Sequence, residues 1–413
     1  MREMKDSGIE WLGEIPAGWG VAPGKRILTL LQRPVEDNDG VVTCFRDGEV
    51  TLRANRRTEG FTIALKEIGY QGVEPGDLVV HGMDGFAGSI GISDSRGKAS
   101  PVLNVMDSDQ NKRFLMYYMR GLAYRDVYMA LSDGIRVRSC NLSWKKISNL
   151  PFALPPLPVQ RRIADFLDEK CAEVDRAVSA AENSIEEYKA YKNSVVFQAV
   201  TKGLDSDVPM ADSGLDWIGC APKHWDVLEQ KWLMRKKKSI CEKWQGESVL
   251  SLTIGGVIVR DVESGKGKFP ATFDGYQYID AGNLVLCLFD IDVTPRCVGL
   301  ARRDGVISPA YSQFAMLPGA EARFYDYYLR AMDDRKLYLG LTSTMRHSFT
   351  ADAFGLIHAL RPPVDEQLRI VNYLDAKTAE IDRLVLSKQA IIADLKAYKQ
   401  SLIYEAVTGK REV

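Results

Sequence analysis

Two stretches of the chain carry apolar or small residues at alternating spacings of four and three. In the first stretch these positions are Leu167, Cys171, Val174, Val178, Ala181, Ile185, Tyr188, Val195 and Ala199. In the second they are Leu374, Thr378, Ile381, Val385, Ile392, Leu395, Leu402 and Ala406. A seam kept for about five heptads is typical of a coiled coil rather than of a globular-core helix. Lys192 and Lys399 interrupt the two seams at equivalent places, and Lys388 interrupts the second alone.

Proline pairs and glycines bound both helices. Pro155-Pro156 and Pro362-Pro363 predict the starts, and Gly203 and Gly409 predict the ends. About 40 residues at 1.5 Å each make a helix of about 60 Å. Each helix has one seam and so needs one partner, for which the other helix of the same chain is the economical choice. If a pseudo-two-fold axis relates the halves, the pair must be antiparallel.

The segments that precede the helices show shorter patterns typical of a mixed α/β domain. Apolar runs at 76–80 and 282–286 predict equivalent strands, and Asp-Gly turns separate the runs. Each segment also holds one amphipathic helical stretch, at 114–127 and 324–337. The sequence therefore predicts a mixed α+β fold in which two similar domains are joined by two long helices.

The two halves are copies of one plan. DSGIEWLGEIPAGW at 6–19 recurs as DSGLDWIGCAPKHW at 212–225, with seven of 14 positions identical at an offset of 206. The helical segments at 155–203 and 362–410 repeat at an offset of 207. We therefore predict a tandem duplication. Its four blocks are a domain at 1–155, a helix at 156–205, a second domain at 206–361 and a second helix at 362–413.

Composition adds few constraints. With 413 residues, 46% hydrophobic and 26% charged, the chain suits a soluble protein of two or more domains. It has no apolar run long enough to span a bilayer and no signal-peptide pattern, so we expect a cytoplasmic location. The seven cysteines form no C-x-x-C motif and are read as reduced, mostly buried thiols. The four scattered histidines make a metal site unexpected.

The repeated motifs, in their order, resemble those of type I restriction–modification specificity subunits. The resemblance comprises DSGxxWxGxxPxxW, a variable segment, a proline-rich helix start with glutamine (PPLPVQRRI and PPVDEQLRI) and a helix ending YKxSxxxxAVT. All four parts occur twice and cover essentially the whole chain. One departure is that Val159 precedes Gln160, where many members of the family have an acidic residue, as Glu366 precedes Gln367 here.

The resemblance implies a function. Each mixed domain would be a target-recognition domain reading one half of a bipartite, asymmetric double-stranded DNA site, and the coiled coil would set the unread spacer. Two adenine-N6 methyltransferase (modification) subunits would dock on the chain, and restriction subunits would join through them. S-adenosylmethionine, ATP and magnesium would belong to those partners, and no cofactor to this chain.

Basic clusters are the candidate DNA contacts, because arginine and lysine read guanine edges and bind phosphates. They are Arg53, Arg56, Arg57, Arg136, Arg138, Lys145 and Lys146 in the first domain, and Arg235, Lys236, Lys237, Lys238, Arg302, Arg303 and Arg346 in the second. Any single cluster could instead be a solvated face. Trp11, Trp19, Trp217 and Trp225 are expected to be scaffold, since residues that read different bases should differ between the domains. Tyr117, Tyr118, Tyr327 and Tyr328 are expected in the core.

No catalytic motif stands out. Neither Pro-Pro pair follows Asn or Asp, as a base-gripping adenine methyltransferase motif requires, and the chain has no dinucleotide-binding fingerprint. The chain is therefore expected to recognise DNA without catalysing a reaction. Two alternatives stay open: a coiled-coil scaffold that bridges two proteins rather than DNA, and an enzyme whose motif goes unrecognised.

Overall fold

The computed structural model describes residues 3–56, 67–131, 142–262, 270–342 and 347–413. The seven described helices are α1 (Lys112–Ala123), α2 (Val127–Ala130), α3 (Trp144–Asn149), α4 (Leu157–Lys202), α5 (Ala322–Asp334), α6 (Ala351–Gly355) and α7 (Val364–Val407).

Strands in the first half of the chain are β1 (Met4–Asp6), β2 (Glu14–Pro16), β3 (Gly20–Pro23), β4 (Thr29–Leu30), β5 (Val42–Cys44), β6 (Val50–Leu52), β7 (Gln71–Val73), β8 (Leu78–His81), β9 (Ile90–Ile92), β10 (Gly97–Ala99), β11 (Leu103–Asp107) and β12 (Pro151–Leu154). Those in the second half are β13 (Met210–Asp212), β14 (Cys220–Pro222), β15 (Asp226–Glu229), β16 (Met234–Lys237), β17 (Leu250–Thr253), β18 (Gly256–Val259), β19 (Gln277–Ile279), β20 (Leu284–Leu286), β21 (Val298–Leu300), β22 (Gly305–Ile307), β23 (Ser312–Met316) and β24 (His358–Arg361).

The chain divides into two compact units. The first contains residues 1–182 and 389–413, and the second contains 183–388. Each unit thus holds one mixed domain together with part of α4 and part of α7. The domain limits drawn from the repeat at 155, 205 and 361 stay predictions.

The first unit is built on a four-stranded antiparallel sheet in the order β4-β11-β8-β9. The central strand β8 is apolar on both faces because α1 covers one side and the β5–β6 hairpin covers the other. Phe114, Tyr118 and Leu122 recur every four residues on α1 and are fully buried. The pairs β1-β2, β3-β12, β5-β6 and β7-β10 complete the described strands.

The second unit repeats this topology. Its sheet has the order β16-β23-β20-β21, which matches the first sheet strand for strand along the chain. Helix α5 packs against it with Phe324, Tyr328 and Leu329 buried, and Leu250 of the β17–β18 hairpin packs with Val285 of β20 in a second, smaller cluster. The predicted strands at 76–80 and 282–286 and both amphipathic helices are confirmed, although α1 and α5 end at Ala123 and Asp334, before the predicted ends at 127 and 337.

Each unit contains one antiparallel pair of helices. In the first unit Asp175 of α4 contacts Lys399 of α7 at 2.7 Å, and Glu182 contacts Lys396 at 3.4 Å. The residue numbers rise on one helix as they fall on the other. In the second unit Lys192 of α4 contacts Asp382 of α7 at 2.7 Å.

The predicted seam positions are buried or half-buried along both long helices. Leu167, Val174, Val178, Ile185, Leu374, Ile381 and Leu402 are buried, whereas Val195, Val385 and Ile392 are half-buried. The helices begin directly after their proline pairs, and Gly203 and Gly409 adopt positive φ where the helices end. The predicted intramolecular, antiparallel coiled coil and the mixed fold class are confirmed.

Among the described residues, no helix has both the length and the apolar content to cross a bilayer.

Candidate nucleic-acid interface and its helical supports

A buried glutamine joins each domain to its long helix. Gln160 donates from Nε2 to the carbonyl of Pro155 and to Oε1 of Gln110, both at 2.8 Å, and accepts from the amide of Asn111 at 3.0 Å. Gln367 donates to the carbonyls of Pro362 and Gly319 and accepts from the amide of Glu321. Each side chain thus ties the start of its long helix to the start of α1 or α5, which fixes the orientation of the domain.

A tyrosine–aspartate bond adds a second tie. Tyr117 of α1 donates to Asp168 of α4 at 2.8 Å, and Tyr327 of α5 donates to Asp375 of α7 at 2.9 Å. Burial raises the pKa of Tyr117 above its ordinary value, so it stays a donor at neutral pH. Tyr117, Tyr118 and Tyr328 are buried in the cores, and Tyr327 packs against the second core, as expected.

The tryptophans of the repeated motif lie in the two cores. Trp19 and Trp225 are buried, and Trp11 and Trp217 pack against the same clusters. The carbonyl of Trp11 accepts a hydrogen bond from the Tyr404 hydroxyl of α7 at 3.2 Å. The motif therefore supports the end of a helix from the other half of the chain, which agrees with its expected scaffold role.

The departure at Val159 has a structural counterpart. In the second half, Oε2 of Glu366 lies 2.8 Å from Nε2 of His224. In the first half the residues at the equivalent places are Val159 and Gly18, and Val159 packs against the hydrophobic core. The two copies thus exchange a histidine–glutamate hydrogen bond for an apolar contact while keeping the adjacent glutamine.

In the first domain, the structure separates the predicted DNA-contacting residues into two places. Arg53 and Arg56 follow the β5–β6 hairpin, whereas Lys145 and Lys146 lie on α3. Asp47 and Glu49 accept from Arg56 at 2.7 and 2.8 Å, and the Asp47 hydrogen bond raises the pKa of Arg56. Lys146 donates to the carbonyl of Leu131 at 3.2 Å, and Lys145 is exposed.

In the second domain, two predicted clusters lie at opposite edge strands of the sheet, one along β16 and the other directly after β21. Lys237 of β16 pairs with Asp280, and the next amide, Ala281 N, donates to Asp304 at 2.7 Å. The exposed Arg302 and Arg303 directly precede Asp304. These two contacts connect Lys237 to the loop that holds Arg302 and Arg303.

The basic run at 235–238 also has a simpler structural explanation. Strand β16 is an edge strand, and charged residues on an edge prevent pairing with another sheet. The remaining predicted contacts, Arg57, Arg136, Arg138 and Arg346, lie outside the described residues. The whole set of DNA contacts stays a prediction.

Arg46, at the tip of the β5–β6 hairpin, was not among the residues selected from the sequence. Its side chain is 64% exposed and lies 2.9 Å from Asp84. A single arginine between a phenylalanine and an aspartate belongs to no basic cluster in the sequence, and only the hairpin fold shows that it is at a tip.

The described cysteines are free thiols, as predicted, and most are buried. Cys44, Cys171, Cys241 and Cys287 are buried, Cys297 is half-buried and Cys220 is exposed. Cys140 is not among the residues described.

Comparisons with known proteins support the resemblance. No family model matches the chain. It is 22% identical over 276 residues to the type I restriction enzyme EcoKI specificity subunit of Escherichia coli K12, covering 62% of this chain and 53% of that protein. It is 31% identical over 138 residues to the EcoBI specificity subunit of Escherichia coli, covering 33% and 28%. The chain thus spans about half the length, or less, of the curated relatives it matches.

The fold has a close counterpart among solved structures. A chain from a structural study of complex assembly and conformational transition in the type I R-M system superposes with a TM-score of 0.68 at 14% identity, covering 96% of this chain and 99% of that one. At this identity the likeness concerns the fold. Together with the sequence matches, it confirms that this protein is similar to the specificity subunits of type I restriction–modification systems.

Proposed function

We propose that this chain is the DNA-recognising specificity subunit of a type I restriction–modification complex. The observation that carries the proposal is the repetition of one sheet topology in two units, with shared helix supports and divergent hairpins and loops. Each domain would read one half of a bipartite, asymmetric site, because the supports are alike and the exposed residues differ. Sequence similarity to the restriction specificity subunits supports the same assignment.

The two long helices would set the unread spacer. α4 contains 46 residues and α7 contains 44, about 66 to 69 Å of helix at 1.5 Å per residue. Half-sites one turn of DNA apart are separated by about 34 Å, which such helices can bridge with room for the domains' own width. The heptad seam fixes the register of the two helices, and this register would fix the distance between the two domains.

The chain would recognise DNA without catalysing its modification or cleavage. Two adenine-N6 methyltransferase subunits would dock on it, and restriction subunits would join through them. S-adenosylmethionine, ATP and magnesium would be bound by those partners. The two-fold repeat supports this stoichiometry, since two identical partners need two similar surfaces.

Methylome sequencing tests this function. A host carrying the intact system should show N6-methyladenine in a two-part motif with a fixed unspecified gap, and deleting this chain should abolish it. A contiguous or palindromic motif would contradict the proposal, as would a motif that survives the deletion. Methyl transfer by the isolated chain, with S-adenosylmethionine and DNA, would contradict the non-catalytic role.

A further inference from the structure

The turn of the β5–β6 hairpin is exposed but held by several contacts. Its strands anchor in a small core around Val42, Cys44 and Val50. The turn itself, at 45–49, closes through hydrogen bonds from Phe45 N to the carbonyl of Glu49 and from Gly48 N to the carbonyl of Phe45. Rigid placement of a turn is what base recognition needs, because a contact must be held to within a fraction of an ångström.

A buried arginine binds the main chain of the turn on its protein-facing side. Arg120 of α1 is only 8% exposed, and it donates from Nε to the carbonyl of Ile90 at 2.7 Å and from Nη2 to that of Asp47 at 3.2 Å. Gly48 has φ +87°, and a Cβ there would overlap the Arg120 guanidinium. Gly91 likewise lets the carbonyl of Gly48 approach β9 closely. The guanidinium thus links α1 and β9 to the turn through main-chain atoms.

Two arginines, Arg46 and Arg56, lie on the exposed side of this turn. Arg56 lies 4.3 Å over the ring of Phe45 and is bound by Asp47 and Glu49. Arg46, at the tip, is held by the half-buried Asp84 in the β8–β9 loop, and the Arg46 side chain remains exposed. A carboxylate that orients an exposed guanidinium reduces the entropy lost when the guanidinium binds a base.

The corresponding hairpin of the second domain has a similar support but a different tip. The carbonyl of Ile254, in the β17–β18 turn, accepts from Nε of Arg296 at 3.4 Å. Arg296 is largely buried and pairs with Asp334 of α5 at 2.7 Å. The exposed side chain at this tip is Ile254 itself, 70% exposed. Similar supports beneath chemically different tips are expected of an element that reads different bases in each domain.

We propose that the β5–β6 hairpin reads a guanine in the first half-site, with Arg46 as the specificity-determining side chain and Arg120 as a positioning residue. This inference rests on the proposed function and deepens it. Arginine binds O6 and N7 of guanine through two parallel hydrogen bonds in the major groove. On approach to DNA, the Arg46 guanidinium donates to the base edge while Asp84 retains its orientation.

The test uses the assembled complex with Arg46→Ala, Arg46→Lys and Arg120→Met, and Arg26→Ala as the control. Arg26 is an exposed arginine of the same domain outside the hairpin. We expect Arg46→Ala to reduce discrimination at one G·C pair of one half-site by about 5- to 150-fold. The other half-site should be unchanged. Arg46→Lys, which cannot make the paired contact, should lose most of the same discrimination.

Arg120→Met should broaden the same half-site while leaving the other sharp. Measured together with the unfolding midpoint, this separates positioning from stability, because a purely structural role lowers methylation at all sites without changing base preference. An unchanged motif with Arg46→Ala would overturn the inference and leave the proposed function intact. A wild-type complex without any bipartite motif would overturn the proposed function itself.

Discussion

At the scale of residues, Asp326 is a buried carboxylate in the second domain at a position that is apolar in the first. It lies on α5 where α1 has Met116, in helices aligned by Tyr118 and Tyr328. Its side chain is nearly fully buried, with one oxygen 3.4 Å from Arg330 and the other, Oδ1, without a hydrogen-bond partner. Burial raises the pKa of this carboxyl, and the nearby arginines oppose the rise.

Replacing Asp326 with asparagine or methionine should therefore stabilise the second unit at neutral pH. Because the folded-state pKa lies above the unfolded value, wild-type stability falls as pH rises from about 4, and the variants escape this loss. We expect a gain of about 1–3 kcal/mol in unfolding free energy at pH 7 and less at pH 4. Denaturant unfolding at both pH values measures it, with the exposed Asp216→Asn as control. Equal gains at both pH values would show that ionisation is not the cause.

At the scale of elements, the lysines that interrupt the heptad seams have defined partners. Lys192 and Lys399 occupy equivalent positions, and so do their partners, Asp382 and Asp175. The lysine side chains are 29% and 21% exposed, whereas the aspartates are more than half exposed. A polar residue in a seam costs stability and specifies register, and an exposed partner returns little of that cost.

Replacing both lysines with leucine should raise the free energy of unfolding by about 1 kcal/mol per site, and the unfolding midpoint should rise with it. The leucines bury apolar surface in the seam, and the two aspartates remain solvated. Thermal or denaturant unfolding gives the result, and Lys189→Leu provides an exposed control on the same helix. A lower midpoint for the double variant would mean that the ion pairs contribute more than the seam burial they displace.

The sequence located most elements but not their contacts. The proline pairs and glycines bounded α4 and α7 within a few residues, because helix starts and stops have local chemical causes. The contacts of Gln160 could not be predicted from the sequence. A glutamine near a helix start has many possible partners, and the contact with the amide of Asn111 joins residues 49 positions apart. Arg46 was not selected either, because only the β5–β6 hairpin fold shows that it lies at a tip.

At the scale of the whole molecule, the core of each unit includes residues from the long helix of the other half of the sequence. The core of the first unit includes Leu402 and Val407 of α7, packed with Leu167 of α4. The core of the second includes Phe197 and Val200 of α4, packed with Leu374 of α7. Neither half of the sequence contains all the residues of its own core.

Lengthening both helices together should therefore lengthen the spacer. We propose inserting four residues after Ala181 and four after Lys388, which are equivalent positions. The insertion adds about 6 Å of helix, and the unread gap should grow by about two base pairs with both half-sites unchanged. Methylome sequencing gives the gap directly. An insertion into α4 alone is the matched control, and it should disturb the seam. An unchanged gap after the double insertion would contradict the ruler role.

A domain exchange tests the independence of the two readers. Replacing residues 206–361 with those of a relative, while keeping the end of α4, should change one half-site only. The end of α4 must stay because Val196 and Val200 belong to the second core. A change in both half-sites would show that the domains do not read separately. Exchange junctions placed inside α4 should instead lower the unfolding midpoint.

The amino-acid sequence alone determined that the chain is duplicated, that each half is a mixed domain followed by a long helix, and that the helices pair through a heptad seam. These follow from local periodicity and from self-similarity, both of which are visible along a single chain. The tertiary structure alone decided which helix end completes which core, which aspartate meets each seam lysine, and that Arg120 lies beneath Gly48. A seam specifies that a partner is needed but not which residue 190 or 224 positions away supplies it, because such contacts depend on packing rather than on spacing.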